Sequence, residues 1–238
     1  MKVLIIIPAY NESKNIEKTI KKATKIKPQN NDKIDYIIIN DGSLDNTLEI
    51  CEKNNFNVIS LINNLGIGGA VQTGYKYAYY NNYDIAIQFD GDGQHDERYI
   101  YKLIEQINKG NDLVIGSRFI SNLSKFKSTY SRQIGIKILS FFIKICTGKK
   151  IYDPTSGFRS VDKEVIKLFA NEYPIDYPEP DTIVTVIKKG YKVSEIPVEM
   201  NERKHGKSSI NPIKSVYYMI KVSLAIIIAG ISTKKGRR

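Results

Sequence analysis

A chain of 238 residues with 42% hydrophobic content is long enough for one sizeable core and short for two independent ones. Its two cysteines, Cys51 and Cys146, lie in helix-like segments without a CxxC partner, which argues against a disulfide framework or thiolate zinc site and fits a reducing cytosolic setting. The net charge of +11 admits nucleic acid, an anionic membrane or a phosphate-rich substrate as partner, but lysine is spread along the whole chain, so the excess alone selects none of them.

The first apolar run, residues 3–7, meets Pro8 and the polar Asn11 and Glu12 too soon for a secretory h-region and reads as a buried strand. Further β-branched runs follow at 34–39, 56–61, 85–89 and 113–116, separated by helix-period segments at 14–26, 47–54, 70–81 and 97–109. This alternation predicts an α/β fold, a mostly parallel sheet with helices on both faces. Ligands of such sheets bind beyond the carboxyl ends of the strands. Four loops, 8–13, 40–45, 63–69 and 90–96, therefore share one rim, and all are rich in Asn, Asp or Gly.

The loops after the first two strands, with Pro8, Tyr10 and Glu12 in one and Asn40, Asp41 and Gly42 in the other, sit where a nucleotide would bind. Asp41 can accept a hydrogen bond from a base N–H, and Tyr10 can offer a ring face or edge. The loop from Asn64 to Ala70, which includes Gly68, opens a helix whose N–H groups could approach a phosphate or sugar. It is a poor dinucleotide fingerprint, because Val71 stands where the third glycine is required.

The fourth loop runs Asp90, Gly91, Asp92, Gly93, Gln94, His95. Alternate residues of a strand point the same way, so extended geometry continuing past Phe89 would aim both carboxylates at one point. Oxygen ligands of this kind suit Mg2+ or Mn2+, which keep several waters and bridge to substrate phosphates. A polar surface turn is the competing reading. A calcium loop is excluded, since the EF-hand pattern needs Gly and Glu where this chain has His95 and Tyr101.

Beyond Ser117 the pattern is less regular. Residues 131–147 are dominated by Ile, Leu and Phe, while Gln133, Lys137, Ser140 and Lys144 fall on one helical stripe; Gly148 ends the segment and Lys149 and Lys150 follow. A second segment begins at Asn211 and Pro212, as cap and first-turn residues, and is almost wholly apolar over 222–231. Neither reaches the roughly 20 uninterrupted apolar residues of a spanning helix. Both could lie in a membrane interface with lysines toward anionic headgroups, and core helices are the competing reading. The expected organisation is one domain over 1–210, followed by an apolar and basic, membrane-associating C-terminal helix and tail over 211–238.

In order along the chain stand PAYNE after the first strand, NDGSLDNT after the second, NLGIGGA after the third and DGDGQH after the fourth. With GSRF at 116–119, DPTSGFR at 153–159 and RKHGKSS at 203–209, this set resembles the family 2 glycosyltransferases, and within them the polyprenyl-phosphate group of dolichyl-phosphate-mannose synthase. The resemblance covers nearly the whole chain. It implies the GT-A fold and a nucleotide-diphosphate sugar donor, with Pro8, Tyr10, Glu12 and Asp41 holding the nucleoside and Gly68 and Gly91 close to the donor. It also implies that Asp90, Asp92 and Gln94 ligate Mg2+ or Mn2+, and that Arg118, Arg132 and Arg203, with Ser208 nearby, meet donor or acceptor phosphates. A departing diphosphate needs its charge stabilised, which a divalent ion and the planar fork of arginine do without proton transfer. Asn40 departs from the usual Asp of the family at a nucleoside contact. His205 is a further candidate metal or phosphate ligand.

The acceptor is read from Glu179 and Asp181. In relatives that glycosylate hydroxyls, an Asp stands eleven residues before a helix-ending Gly, and counting back from Gly190 gives Glu179. Lipid-phosphate members usually lack an acid there but carry one two places later, where this chain has Asp181. Acids also favour the first turn of a helix, so capping competes with a catalytic role. The expected function is an inverting, metal-dependent transfer of a hexose to polyprenyl phosphate by a protein peripheral on the cytoplasmic face of the membrane. The close alternative is transfer to a saccharide hydroxyl of a lipid-linked or cell-surface glycan, with Glu179 as base. A non-catalytic nucleic-acid-binding protein is the remote alternative: no nucleic-acid module is recognisable, and the acidic rim at Asp41, Asp90 and Asp92 would repel a phosphate backbone.

Overall fold

A computed structural model describes residues 1–26, 32–120, 130–201, 212–233 and 236. Strands β1 (Lys2–Ala9), β2 (Lys33–Asn40), β3 (Val58–Ser60) and β4 (Ile85–Gln88) alternate with helices α1 (Ile16–Ala23), α2 (Thr47–Lys53) and α3 (Gly66–Tyr80). Then follow α4 (Ile100–Asn108), β5 (Leu113–Ser117), α5 (Tyr130–Thr147), β6 (Arg159–Asp162), α6 (Lys163–Asn171), α7 (Pro178–Lys188), β7 (Val193–Pro197) and α8 (Pro212–Ser232). The seven strands form one sheet in the order β3-β2-β1-β4-β6-β5-β7. All neighbours are parallel except β6, which runs antiparallel to both β4 and β5.

The continuous apolar runs follow from burial on both faces of the sheet. Leu4, Ile6, Ile37 and Ile39 point to the core under α3, α5, α6, α7 and α8, whereas Val3, Ile5, Ile7 and Ile38 point to the core under α1, α2 and α4. Strand alternation thus sends each successive residue into a different hydrophobic layer.

The second half contains elements that hydrophobic patterning does not announce, namely β6, α6 and β7. The C-terminal helix is not a detached unit. Val222, Ile226 and Ala229 of α8 are buried in the same core as Leu139 and Ile143 of α5 and Ile183 of α7. Glycines let α5 and α8 approach closely: a Cβ at Gly135 would lie 2.8 Å from Met219 Sδ, and one at Gly230 would lie 2.8 Å from Cys146 Sγ. These two contacts, eleven residues apart in each helix, show that α5 and α8 run side by side in the same direction. Among the described residues no helix is long and apolar enough to cross a membrane.

Candidate active site

The rim loops are stitched to each other at the carboxyl ends of β1, β2 and β4. Asn11, held at φ 55, accepts through Oδ1 from the backbone N–H of Leu44 at 2.8 Å, and the N–H groups of Glu12 and Ser13 donate to Thr47 Oγ1 and Asp45 Oδ2. Asp41 is buried and its Oδ1 accepts from Leu65 N at 2.7 Å, which ties the second loop to the third. Tyr10 is 45% exposed on the rim, available to a ligand ring. Glu12 Oε2 accepts from Asn15 Nδ2 at 2.7 Å. Asn40 is buried and donates to Ser60 Oγ at 2.8 Å, so it links the ends of β2 and β3.

Two glycines counted with the donor site are first of all points of close approach. A Cβ at Gly68 would stand 2.2 Å from the carbonyl oxygens of Pro174 and Ile175, in the connection between α6 and α7. One at Gly91 would stand 2.9 Å from Pro8 O. The absence of side chains brings the third and fourth loops against their neighbours.

Backbone pairing with β1 carries on past Phe89, whose N–H donates to Ile6 O at 2.9 Å, to Gly91, whose N–H donates to Pro8 O at 3.2 Å. β4 stops at Gln88, Gly91 and Asp92 form a turn, and Gly93 takes φ 74. The turn is closed by Gln94 N–H, which donates to Asp92 Oδ1 at 3.0 Å, while Gln94 O accepts from Asn201 N at 2.8 Å. The acids therefore stand where the strand gives way to a compact loop.

His95 folds back onto the first acid. Its Nδ1 accepts from Asp90 N at 3.0 Å and its Nε2 lies 3.5 Å from Asp90 Oδ2. The ring is buried and stacks on Phe158 at 4.6 Å with Phe89 at its edge. Burial lowers the histidine pKa, against the raising influence of Asp90 and Asp92. Neutral imidazole with Nδ1 as acceptor carries its proton on Nε2, directed toward the Asp90 carboxylate. Gln88 Nε2 donates to Asp90 Oδ1 at 3.0 Å from the other side. Gly157 makes room for all of this, because a Cβ there would fall 2.8 Å from Gln88 Nε2 and 2.9 Å from Asp90 Oδ2.

Beside Gly157 stands Arg159, fully buried in β6. Its guanidinium donates to Ser156 O, to Thr182 Oγ1 at 3.0 Å and to Glu179 O at 3.4 Å, binding β6 to the first turn of α7. Tyr177, at φ 49, leads into that turn, a left-handed conformation rare for a bulky residue and costly to hold. Burial raises the pKa of Glu179; the Arg159 charge opposes that rise and the Asp90 charge adds to it. Glu179 thus feels the charges of both Arg159 and Asp90. Asp181 lines a cavity of about 460 Å³ with Thr182, Thr185, Lys189, Ser232 and Thr233, and burial raises its pKa while Thr185 opposes the rise.

Arg118 is also placed differently from a phosphate finger. It is buried, and its Nε and Nη2 reach Asp153 Oδ2 and Oδ1, each at 2.7 Å, locking the end of β5 to the DPTSGFR loop. Arg132 lies in the first turns of α5. Arg203, His205 and Ser208 fall outside the described residues.

His95, Gly157 and Arg159 are the site residues that sequence reasoning passed over. All three stand inside the quoted motifs, and a buried arginine or a histidine among acids was the available signal.

Two carboxylates, a nearby amide and substrate oxygens match what Mg2+ or Mn2+ asks for. The Asp90 carboxylate is pre-oriented by His95 and Gln88 in a space that a Cβ at Gly157 would fill, so the donor set fits such an ion. Among the described residues no three His, Cys, Asp or Glu converge on one point.

A mostly parallel sheet whose carboxyl edge carries this acid loop defines a glycosyltransferase of the GT-A class. The chain belongs to glycosyl transferase family 2, whose sequence profile matches residues 4–169. It is 34% identical over 218 residues, covering 83% of this chain and 84% of the relative, to the UDP-N-acetylglucosamine–dolichyl-phosphate N-acetylglucosaminyltransferase of Methanococcus voltae. It is 26% identical to the polyprenol monophosphomannose synthase of Mycolicibacterium smegmatis, covering 88% of this chain and 81% of that one. Its fold matches glucosyl-3-phosphoglycerate synthase from Mycobacterium tuberculosis, a structure holding Mn2+, UDP and phosphoglyceric acid, with a TM-score of 0.73 at 15% identity over 97% of this chain and 78% of that one.

Proposed function

We propose that this glycosyltransferase moves a sugar from a nucleoside-diphosphate donor to the phosphate of a polyprenyl phosphate, with inversion, while associated with a membrane surface. The observation that carries this reading is the clasped acid loop at the carboxyl edge of β4, in a chain similar over most of its length to two transferases named for lipid-phosphate acceptors. In a single displacement, an acceptor phosphate oxygen bonds to the anomeric carbon as the bond to the donor diphosphate breaks, and the electron pair leaves on the diphosphate. A phosphate nucleophile is already anionic, so no base is required.

Asp90 and Asp92, with Gln94 beside them, would hold Mg2+ or Mn2+, which when bound stabilises the charge of the departing diphosphate. Asp41 and Tyr10 present an acceptor and a ring to the nucleoside. Glu12, bonded to Asn15, would act from the start of α1.

Peripheral attachment to a membrane surface, which we place on the cytoplasmic side, is supported as to the surface alone by exposed apolar stripes on two adjoining helices. Ile134, Ile138, Phe141 and Ile145 are exposed on α5, and Ile220, Leu224, Ile228 and Ile231 on α8. Such stripes suit helices lying in an interface.

One observation favours a hydroxyl acceptor instead. Glu179 has a pKa raised by burial, with the Asp90 charge adding to the rise, as suits a base. A panel of nucleotide sugars with Mn2+, with and without polyprenyl phosphate, decides between the two when released nucleoside diphosphate is measured. Release stimulated by polyprenyl phosphate and kept in Glu179→Gln supports the phosphate acceptor. Release stimulated only by saccharides, and abolished in that variant, would overturn it.

A further inference from the structure

The polar stripe of α5 is not used by the reaction described above. Lys137, Ser140 and Lys144 line one wall of a groove of about 580 Å³, and Phe119, Lys150 and Tyr152 are among the residues on the other side. The walls are joined by Ser140 Oγ, which donates to Ile151 O. Lys150 Nζ stands 4.3 Å over the Tyr152 ring. Among the described residues no acid lines the groove, and from residue 113 to residue 152 the sequence carries eight Lys or Arg and no Asp or Glu. Glu195, behind the wall on β7, is engaged by the N–H groups of Tyr152 and Asp153 at 2.8 and 2.9 Å. Three ammonium groups thus face an aromatic floor without a carboxylate among them.

We propose that this groove is a headgroup site for an anionic bilayer phospholipid, with the lysines holding its phosphate. The inference rests on the membrane-associated reading above. Position on the helix supports the lipid source: the exposed stripe of Ile134, Ile138, Phe141 and Ile145 runs one residue ahead of Gln133, Lys137 and Lys144, so acyl chains and headgroup meet neighbouring faces of one helix. The groove also comes close to the rim, since Phe119 lies two residues past the end of β5 and Tyr152 precedes the Asp153 that Arg118 grips, so the acceptor's own phosphate is the rival occupant that the transfer assay below tells apart.

The test compares flotation of the full chain with phosphatidylcholine vesicles and with vesicles that also contain phosphatidylglycerol. Wild type should prefer the anionic vesicles, and Lys137→Gln/Lys144→Gln/Lys150→Gln should lose on the order of a hundredfold in partitioning, at roughly fivefold per lysine. The matched control Lys18→Gln/Lys25→Gln/Lys53→Gln removes the same charge from exposed sites on the opposite face of the sheet, and should lose less than about a tenth as much. Equal loss in both variants, or no preference for anionic vesicles, would overturn the proposal. So would binding of inorganic phosphate in the groove as tight as that of vesicles, because the ligand would then be the free ion. Sugar transfer in detergent should be unchanged in the groove variant, which also reports its folding; transfer lost while vesicle binding persists would assign the groove to the acceptor. Failure of sugar transfer in wild type would count against the proposed function without touching the vesicle result. Should the triple variant not fold, Lys150→Gln alone should still show the fivefold step.

Discussion

His95 contacts Asp90 twice, through the backbone N–H at 3.0 Å and toward the carboxylate at 3.5 Å. A side chain that holds both ends of one residue fixes where its carboxylate points. Outer partners of metal ligands typically contribute ten- to hundredfold in metal affinity. His95→Phe should therefore weaken Mn2+ binding by about that factor, as followed by electron paramagnetic resonance with nucleoside diphosphate present. His95→Asn places an oxygen acceptor near the Nδ1 position and should recover part of the loss. Unchanged Mn2+ affinity in both variants would show that Asp90 is held by other groups.

Gly157 tests the same carboxylate from its opposite side. A methyl group 2.9 Å from Asp90 Oδ2 and 2.8 Å from Gln88 Nε2 forces one of them to move. Neither is the free end of a long chain: Gln88 is buried, and Asp90 is bracketed by two donors. Gly157→Ala should cost about 1–3 kcal/mol of stability and should weaken Mn2+ binding. Thermal unfolding and Mn2+ titration of one preparation separate these effects, and wild-type values for both would mean the loop carrying residue 157 yields freely.

Asp181 and Glu179 lie two residues apart in one helical turn and face different surroundings. Asp181→Asn should leave sugar transfer within about twofold of wild type, since its carboxylate meets Thr185 in the cavity that Ser232 and Thr233 also line. Its effect should appear in stability. Burial raises the folded-state pKa of Asp181 above the ordinary 3.8. The folded protein then binds that proton more tightly than the unfolded chain, so wild-type stability is full below pH 3.8 and falls as pH rises through the raised value. Asp181→Asn has no such loss. Its melting temperature should match wild type in acid and exceed it increasingly toward neutrality, and a gap independent of pH would show that the acid is not desolvated.

The first five strands were legible because neighbours such as Ile5 and Ile6, or Ile38 and Ile39, send apolar side chains to opposite faces of the sheet, and that pattern leaves few alternatives. β6 was not legible, because its four residues are Arg159, Ser160, Val161 and Asp162. Their burial is made tolerable by tertiary hydrogen bonds, such as Arg159 to Thr182 and Ser156, that no local pattern shows. The acid loop was legible through its composition, but the turn at Gly91 and Gly93 and the clasp of His95 on Asp90 depend on tertiary contacts that composition does not announce. Glu179 and Asp181 were equally suspect by type. What separates them is tertiary: Arg159 donates to the Glu179 carbonyl, while Asp181 meets Thr185.

Arg118 shows how a motif arginine can serve the scaffold that presents a site. Its guanidinium forms two 2.7 Å bonds with the Asp153 carboxylate, both groups being buried, and Nη2 also reaches Thr155 Oγ1 at 2.9 Å. Removing one partner of such a pair leaves an uncompensated charge out of water, at a cost of about 3–5 kcal/mol. Arg118→Ala should therefore lower the unfolding free energy by about that much. Arg118→Lys keeps the charge but cannot make the planar two-pronged contact, so it too should be destabilised, by a smaller amount. A residue that only bound phosphate would behave in the reverse way, with stability nearly unchanged and the donor KM raised. Denaturant unfolding of the two variants, set beside their donor KM values, distinguishes these roles. The scaffold role would be refuted by Arg118→Ala unfolding at the wild-type midpoint. Because Asp153 opens the loop that carries Gly157 and Arg159, loss of the pair should also loosen Asp90, and Mn2+ affinity should fall alongside stability in Arg118→Ala.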